Sequence, residues 1–196
     1  MAQIVRPDAR YQRSYLDAHD EFGGAQRDGD GVWAEPADPA TGFRGYAFTR
    51  QGLEDPEEFQ RFVRQRRGAE LAETPRPSGH VPCTFLWFVD GDEYLGSISL
   101  RHDLTDVLVR HGGHIGYSIR PSARRRGHAG TALAQTLELA HEMGMAQVLI
   151  TCAEDNSGSR AVIEAAGGRY EDSRAGQRRY WVPTPASQQP AGARIN

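Results

Sequence analysis

At 196 residues, with 38% hydrophobic and 25% charged side chains, the chain has the composition of an ordinary globular protein and the length of one domain with a substantial core. Its formal charge of -3 gives no general attraction to nucleic acid or anionic lipid, no apolar run approaches the length of a membrane span, and the two cysteines, Cys83 and Cys152, suit a reducing cytoplasm rather than a disulfide framework. All 23 basic residues are arginine, and the lack of lysine excludes a lysine-dependent triphosphate loop as well as Schiff-base chemistry.

In chain order, Tyr11, Tyr15, Ala18, His19 and Phe22 recur at spacings of three and four, predicting a helix over Arg10–Phe22. The Gly-, Asp- and Pro-rich stretch 23–45 reads as a long loop. Asp55-Pro56-Glu57-Glu58 is a helix start, and Phe59, Phe62 and Val63 carry that helix to about Gly68. After a Pro-containing connector over 74–79, Thr84–Val89 and Tyr94–Leu100 flank Asp90-Gly91-Asp92 and predict a β-hairpin. Gly113–Arg120 is the next strand. A helix from Ala129 to Met143 follows, with Ala129, Ala132, Leu133, Thr136, Leu137 and Ala140 on one stripe, and Ala146–Cys152 reads as a buried strand. Strand, helix and strand in this length imply a parallel pair with a right-handed crossover. Asn156–Ala166 forms a further helix, Arg178–Val182 a last strand, and the Pro-, Ala- and Gln-rich segment 183–196 is expected to be disordered.

Arg124-Arg125-Arg126-Gly127-His128-Ala129-Gly130 joins the Gly113–Arg120 strand to the following helix. A Gly-containing turn at a helix start aims several backbone N–H groups at one spot, and the helix dipole and neighbouring arginines make that spot attractive to phosphate. No Gly-x-Gly-x-x-Gly spacing supports a dinucleotide reading. The Arg-x-x-Gly-x-Ala pattern of Arg124, Gly127 and Ala129, preceded by Ile119-Arg120-Pro121, resembles the cofactor signature of the GNAT superfamily of N-acetyltransferases. Asn156-Ser157-Gly158-Ser159, leading through an aliphatic helix to Gly167-Gly168, resembles the second cofactor block of that superfamily. The resemblance spans roughly residues 85–182 and is specific within 113–168.

The resemblance implies an α/β (α+β) GNAT fold: a central mixed, twisted sheet of about six or seven strands with flanking helices and a splayed parallel strand pair that holds the cofactor. It implies one domain over 1–182, with variable acceptor-side helices and loops in 1–80 and the acetyl-CoA-binding core in 81–182. Acetyl-CoA is then the donor, its pyrophosphate on backbone amides of Arg124, Arg125, Arg126, Gly127, His128, Ala129, Gly130 and Thr131. Its pantetheine arm lies along Ser118 and Ile119, and Asn156 and Ser159 reach the pantetheine or phosphate region. Asn156 and Ser159 also suit helix capping.

Acetylation needs a neutral amine, an oxyanion partner and a proton for the leaving thiolate. The strand before the loop offers His114 as base and no carboxylate; a backbone N–H on the bulged strand would serve the oxyanion. Members of the superfamily often carry a tyrosine one residue before the Glu of the second block, where this chain has Ile163, so Tyr117 and Tyr170 stand as candidate acids. His102 and Asp103 are candidate acceptor-pocket residues, and Trp33, Phe43, Tyr46 and Trp87 are either core or pocket. His80 with Cys83, and His111 with His114, are too few ligands for a metal, so none is expected. The expected acceptor is a primary amine of a small molecule, with a peptide or protein amine and a non-catalytic CoA-binding module as alternatives. Pairing into a homodimer through the late strands, common in the superfamily, is a further expectation. Nucleic-acid and membrane partners are not.

Overall fold

The periodicities above resolve into a sheet flanked by helices on both faces. The computed structural model describes residues 1–185. Along the chain run β1 (Gln3–Val5), α1 (Gln12–Glu21), β2 (Ala34–Glu35), β3 (Tyr46–Ala47), α2 (Pro56–Gly68), β4 (Cys83–Asp90), β5 (Glu93–Arg101), α3 (Asp106–Arg110), β6 (Ile115–Ile119), α4 (His128–Glu142), β7 (Gln147–Ala153), α5 (Ser157–Ala165), β8 (Arg169–Arg174) and β9 (Gln177–Pro183). Seven strands form one sheet in the order β1-β4-β5-β6-β7-β9-β8, mixed in direction, and β2 with β3 forms a separate two-stranded ribbon inside what reads as loop.

Strand parity divides the core. Leu86, Ile98, Leu100, Ile115 and Ile150 pack against Leu133, Leu137 and Ala140, the apolar stripe of α4. On the opposite face Trp87, Val89 and Tyr94 pack against Tyr11, Tyr15, Phe59 and Phe62 of the N-terminal helices. A register shift between Phe88 and Val89 brings Tyr94 to the same face as Val89 despite the change in parity. α2 begins where the sequence indicates: the Asp55 carboxylate accepts from the Glu57 and Glu58 N–H groups at 2.9 and 3.0 Å, with Pro56 at the first helical position.

β6 and β7 are parallel and are paired at one position only, Ile115 with Ile150. β6 meanwhile stays in register with β5 from Gly96–Ile119 to Leu100–Ile115, and β7 with β9 along its whole length. The parallel pair therefore opens toward its carboxyl ends, the usual ligand position on such a sheet. The β5–β6 register is uninterrupted, and the irregularity of this part of the sheet lies in the β4–β5 pair. Pro183 closes β9 and the Thr184 N–H donates to the Ala146 carbonyl, so the last strand runs one residue past its expected end. The remainder of the segment expected to be disordered lies outside the described residues.

Candidate active site

The opening between β6 and β7 leads into a cleft of about 490 Å³. Its floor is Tyr117, Ser118 and Ile119 of β6; one wall is the 124–130 loop and the start of α4, and the other is the first turns of α5 with Asn156 and Ser159. Of the expected cofactor residues, Ser118, Ile119, Arg124, Arg125, Gly127, His128, Ala129, Gly130, Asn156 and Ser159 all line it; Arg126 and Thr131 do not.

Local physics explains the loop. Arg125 has φ 61° and Gly127 φ 81°, two left-handed residues that reverse the chain direction between strand and helix. Glycine is the residue that adopts this conformation freely, and as N-cap it brings no side chain to cover the helix end. The Thr131 N–H donates to the Gly127 carbonyl at 3.1 Å. The amides of His128, Ala129 and Gly130 therefore precede the helical ladder and project toward the cleft with the positive end of the dipole. Arg124 is held by its Nε donating to the Ile119 carbonyl at 3.0 Å and by the Phe22 ring, 5.5 Å from its guanidinium carbon. Asn156 caps α5 by accepting from the Ser159 N–H at 2.9 Å, so its capping role and a place in the cleft wall coexist.

Backbone phase places the edge groups of β6. The Arg120 N–H donates to the Leu95 carbonyl on β5. In an antiparallel pair alternate residues face the partner. Ser118 thus points its backbone at β5, while Tyr117 and Ile119 point theirs into the opening. An extended arm laid along β6 would find its hydrogen bonds on the Tyr117 backbone and the Ile119 N–H, since the Ile119 carbonyl already accepts from Arg124.

Tyr117 and His114 differ sharply in setting. The Tyr117 hydroxyl donates to the Ser159 carbonyl at 3.4 Å, and burial pushes its phenol up to about 12, so it is protonated at neutral pH. His114 is buried within the sheet, its ring near Trp181, and its Nδ1 accepts the Leu149 N–H at 2.8 Å. Burial lowers its pKa, and it is absent from the cleft lining. The structure thus does not bring His114 and Tyr117 together at the opening: the imidazole is committed to the β6–β7 junction. Tyr170 is exposed on the edge strand with its hydroxyl beside Ser173.

Sequence reasoning missed the N-terminal part of the cleft lining. Phe22, Gln26 and Asp28 come from the end of α1 and the following loop; Gln26 donates to Asp28 at 3.0 Å, and Asp28 is the one carboxylate in the cleft lining. The loop is held by Gly29, φ 85°, where a Cβ would lie 2.5 Å from the Gly116 carbonyl oxygen and 2.8 Å from that of Ser97. Only a residue without a side chain lets the backbone lie this close to β5 and β6.

A second cavity of about 630 Å³ lies on the α2 face of the sheet, its walls including Phe43, Tyr46, Phe85, Ser99 and Arg101. The Asp28–Gly31 segment runs between the two cavities, Asp28 lining one and Gly31 the other. Phe43 and Tyr46 are thus pocket residues, Trp87 is core, and Trp33 packs partly buried against the N-terminal cluster. His102 bonds Thr84 at 2.9 Å, and neither it nor Asp103 lines the cavity. Among the described residues no group of three His, Cys, Asp or Glu side chains is gathered for a metal, and no helix is long and apolar enough to cross a membrane.

A splayed parallel pair with a phosphate-type helix start beside it defines an acyl-CoA-dependent transferase architecture. Residues 28–169 match the family model of the acetyltransferase (GNAT) domain, and the chain belongs to that family: it is an N-acetyltransferase whose donor is acetyl-CoA. Among solved structures, Mycobacterium smegmatis RimJ in complex with CoA-disulfide matches with a TM-score of 0.61 at 15% identity, covering 96% of this chain and 84% of that one. The microcin self-immunity acetyltransferase MccE, in complex with acetyl-CoA and AMP, matches with a TM-score of 0.57 at 14% identity over 93% and 92% of the chains. RimL, a ribosomal alpha-N-protein acetyltransferase in complex with coenzyme A, gives 0.56 at 13% identity over 93% of each. At these identities the likeness is one of fold. No curated protein sequence matches the chain significantly.

Proposed function

We propose that the chain acetylates a primary amine of a small molecule, with the donor in the 490 Å³ cleft and the acceptor in the 630 Å³ cavity across the sheet. The observation that carries this reading is the single paired position of β6 and β7, which opens the sheet beside Tyr117. The acceptor cavity is bounded and of the size that encloses a small molecule, with aromatic walls.

The residues present fit acetyl-CoA: free amides at the start of α4 and the Arg124 and Arg125 side chains suit its phosphates, and the free edge of β6 suits the amides of its pantetheine arm. When bound, acetyl-CoA supplies a thioester carbonyl for a neutral amine to attack, with departure of the CoA thiolate. Tyr117, protonated at neutral pH, is positioned to give that thiolate its proton. Asp28, in the segment that runs between the two cavities, takes the proton the amine must lose. His114 acts as a ladder residue that holds β6 on β7 where the opening begins.

Thiol release from acetyl-CoA with a panel of primary amines tests the reading. Expected is turnover with at least one small amine, lowered about 100-fold or more in Asp28→Asn or Tyr117→Phe. Acetyl-CoA binding without turnover on any amine would favour a binding module, and turnover confined to peptides would favour a protein acceptor.

A further inference from the structure

The arginines of this chain sort by their partners. Among the described residues that are buried or half-buried, Arg6, Arg27, Arg50, Arg120 and Arg179 are each ion-paired to a carboxylate, and Arg178 rests on the Tyr170 and Tyr180 rings. The remaining three, Arg66, Arg76 and Arg101, like Arg178 with its bond to the Tyr180 hydroxyl, bond only neutral oxygens, and Arg66 also lies over the Phe62 ring at 4.6 Å. Arg66 donates to the Gln65 side chain at 2.6 Å and the Val32 carbonyl at 2.7 Å, leaving its buried Nε without a partner. Arg76 donates to the Leu71 and Ala72 carbonyls at 2.6 and 3.3 Å, and Arg101 to those of Gly112 and Gly113 at 3.2 Å.

All three gather at the 630 Å³ cavity. Arg76 and Arg101 line it, and the Arg66 guanidinium stands behind its wall, 5.0 Å from the Phe85 ring. Ser99, 1% exposed, lines the same cavity with its Oγ lacking a hydrogen-bond partner. The one carboxylate of the lining, Glu35, faces His80 at 3.9 Å and has no arginine within ion-pair distance. Burial keeps the Cys83 thiol between Arg101 and Arg66 neutral, pushed up to about 11, so it cancels none of this charge. Uncompensated guanidinium groups beside an apolar cavity are a carboxylate site in waiting.

We infer that the acceptor carries a carboxylate as well as its amine, with the carboxylate held by Arg101 and Arg76 and an apolar body lying between Phe43, Tyr46 and Phe85. This inference rests on the proposed acetyl transfer, since it names the acceptor of that same site. The anchor stands close to the opening: Gly116 is opposite Ser99, and a Cβ at Gly116 would lie 3.5 Å from the Ser99 hydroxyl and 3.8 Å from an Arg101 guanidinium nitrogen.

The matched probes are 4-(aminomethyl)benzoate and benzylamine, which differ only in the carboxylate. Expected is a kcat/KM at least about tenfold higher for 4-(aminomethyl)benzoate, the scale of a charge-assisted hydrogen bond, with the ratio falling toward one in Arg76→Gln and in Arg101→Gln. Reading a ratio within each variant removes any loss of folded protein. Calorimetry on the same samples measures acetyl-CoA and benzoate binding. Equal or better turnover of benzylamine in the wild type overturns the inference and leaves acetyl transfer standing. Absence of turnover together with arginine-dependent benzoate binding keeps the anion site and overturns acetyl transfer. Absence of both turnover and benzoate binding overturns the two together.

Discussion

Gly130 separates the two contributions a glycine makes at a binding site. It lies in the first turn of α4, lines the cleft, and a Cβ there would meet nothing within 4 Å. Gly130→Ala should therefore raise stability by about 0.5–1 kcal/mol through the helix interior preference, seen as a higher Tm. Gly130→Trp should keep the fold and fill the space the donor occupies, so calorimetric affinity for CoA is lost. Unchanged affinity in the tryptophan variant would remove the helix start from the site. His114 yields a prediction of a different kind. Its ring replaces a backbone carbonyl as acceptor for Leu149, so His114→Ala leaves a buried N–H unpaired and should cost about 1–3 kcal/mol. Because burial lowers its folded pKa below the ordinary 6.5, its contribution to stability is complete above about pH 6.5 and is lost as pH falls through the folded pKa. His114→Asn, which keeps an acceptor and cannot titrate, should flatten that part of the stability–pH curve relative to wild type. If His114→Ala instead kept its Tm and lost acetyl transfer, the imidazole would belong to the chemistry.

At the scale of elements, the anion loop is braced from the far end of the chain. The Glu21 carboxylate at the end of α1 is ion-paired with Arg120 and accepts from the Ser122 N–H and hydroxyl at 3.0 Å each. Arg120, chiefly through its hydrogen bond, holds the Glu21 carboxyl near 2, well below its ordinary 4.5. A lowered carboxylate pKa means stability that is present above about pH 4.5 and lost as pH falls toward 2. Glu21→Gln should therefore weaken acid sensitivity in that window and loosen the loop, lowering CoA affinity at neutral pH; an affinity equal to wild type would show that the brace does not position the site. The brace was not legible in the sequence, because Glu21 and Arg120 are 99 residues apart. Elements with strong periodicity were legible: α1, α2, α4, α5 and the β4–β5 hairpin all fall where spacing puts them. Those missed have physical reasons. β8 (Arg-Tyr-Glu-Asp-Ser-Arg) is a polar edge strand whose only pairing is to β9, β1 has three residues, β2 and β3 have two each, and α3 buries nothing. None of these carries the alternation or stripe that burial imprints on a sequence.

For the whole molecule, most of the lining of the 490 Å³ cleft was readable and that of the 630 Å³ cavity was not. A phosphate-binding turn is local, and Arg124, Gly127, Asn156 and Ser159 advertise it through short motifs whose chemistry depends on backbone geometry. The 630 Å³ cavity is assembled largely from α2, its following connector, β4, β5 and the start of α3, and no motif joins residues so far apart. Asp28 was hidden for the same reason, in a loop whose position depends on Gly29 lying against β5 and β6. The central claim is that the opening of β6 from β7 and the start of α4 together hold acetyl-CoA. The most direct measurement is a titration of the isotope-labelled protein with acetyl-CoA followed by backbone amide NMR. The largest shifts are expected at His128, Ala129 and Gly130, with Tyr117 and Ile119 following and the Phe43–Tyr46 ribbon little changed. Shifts concentrated at Phe43, Tyr46 and Arg101, with the α4 amides unmoved, would contradict the assignment of donor and acceptor sides.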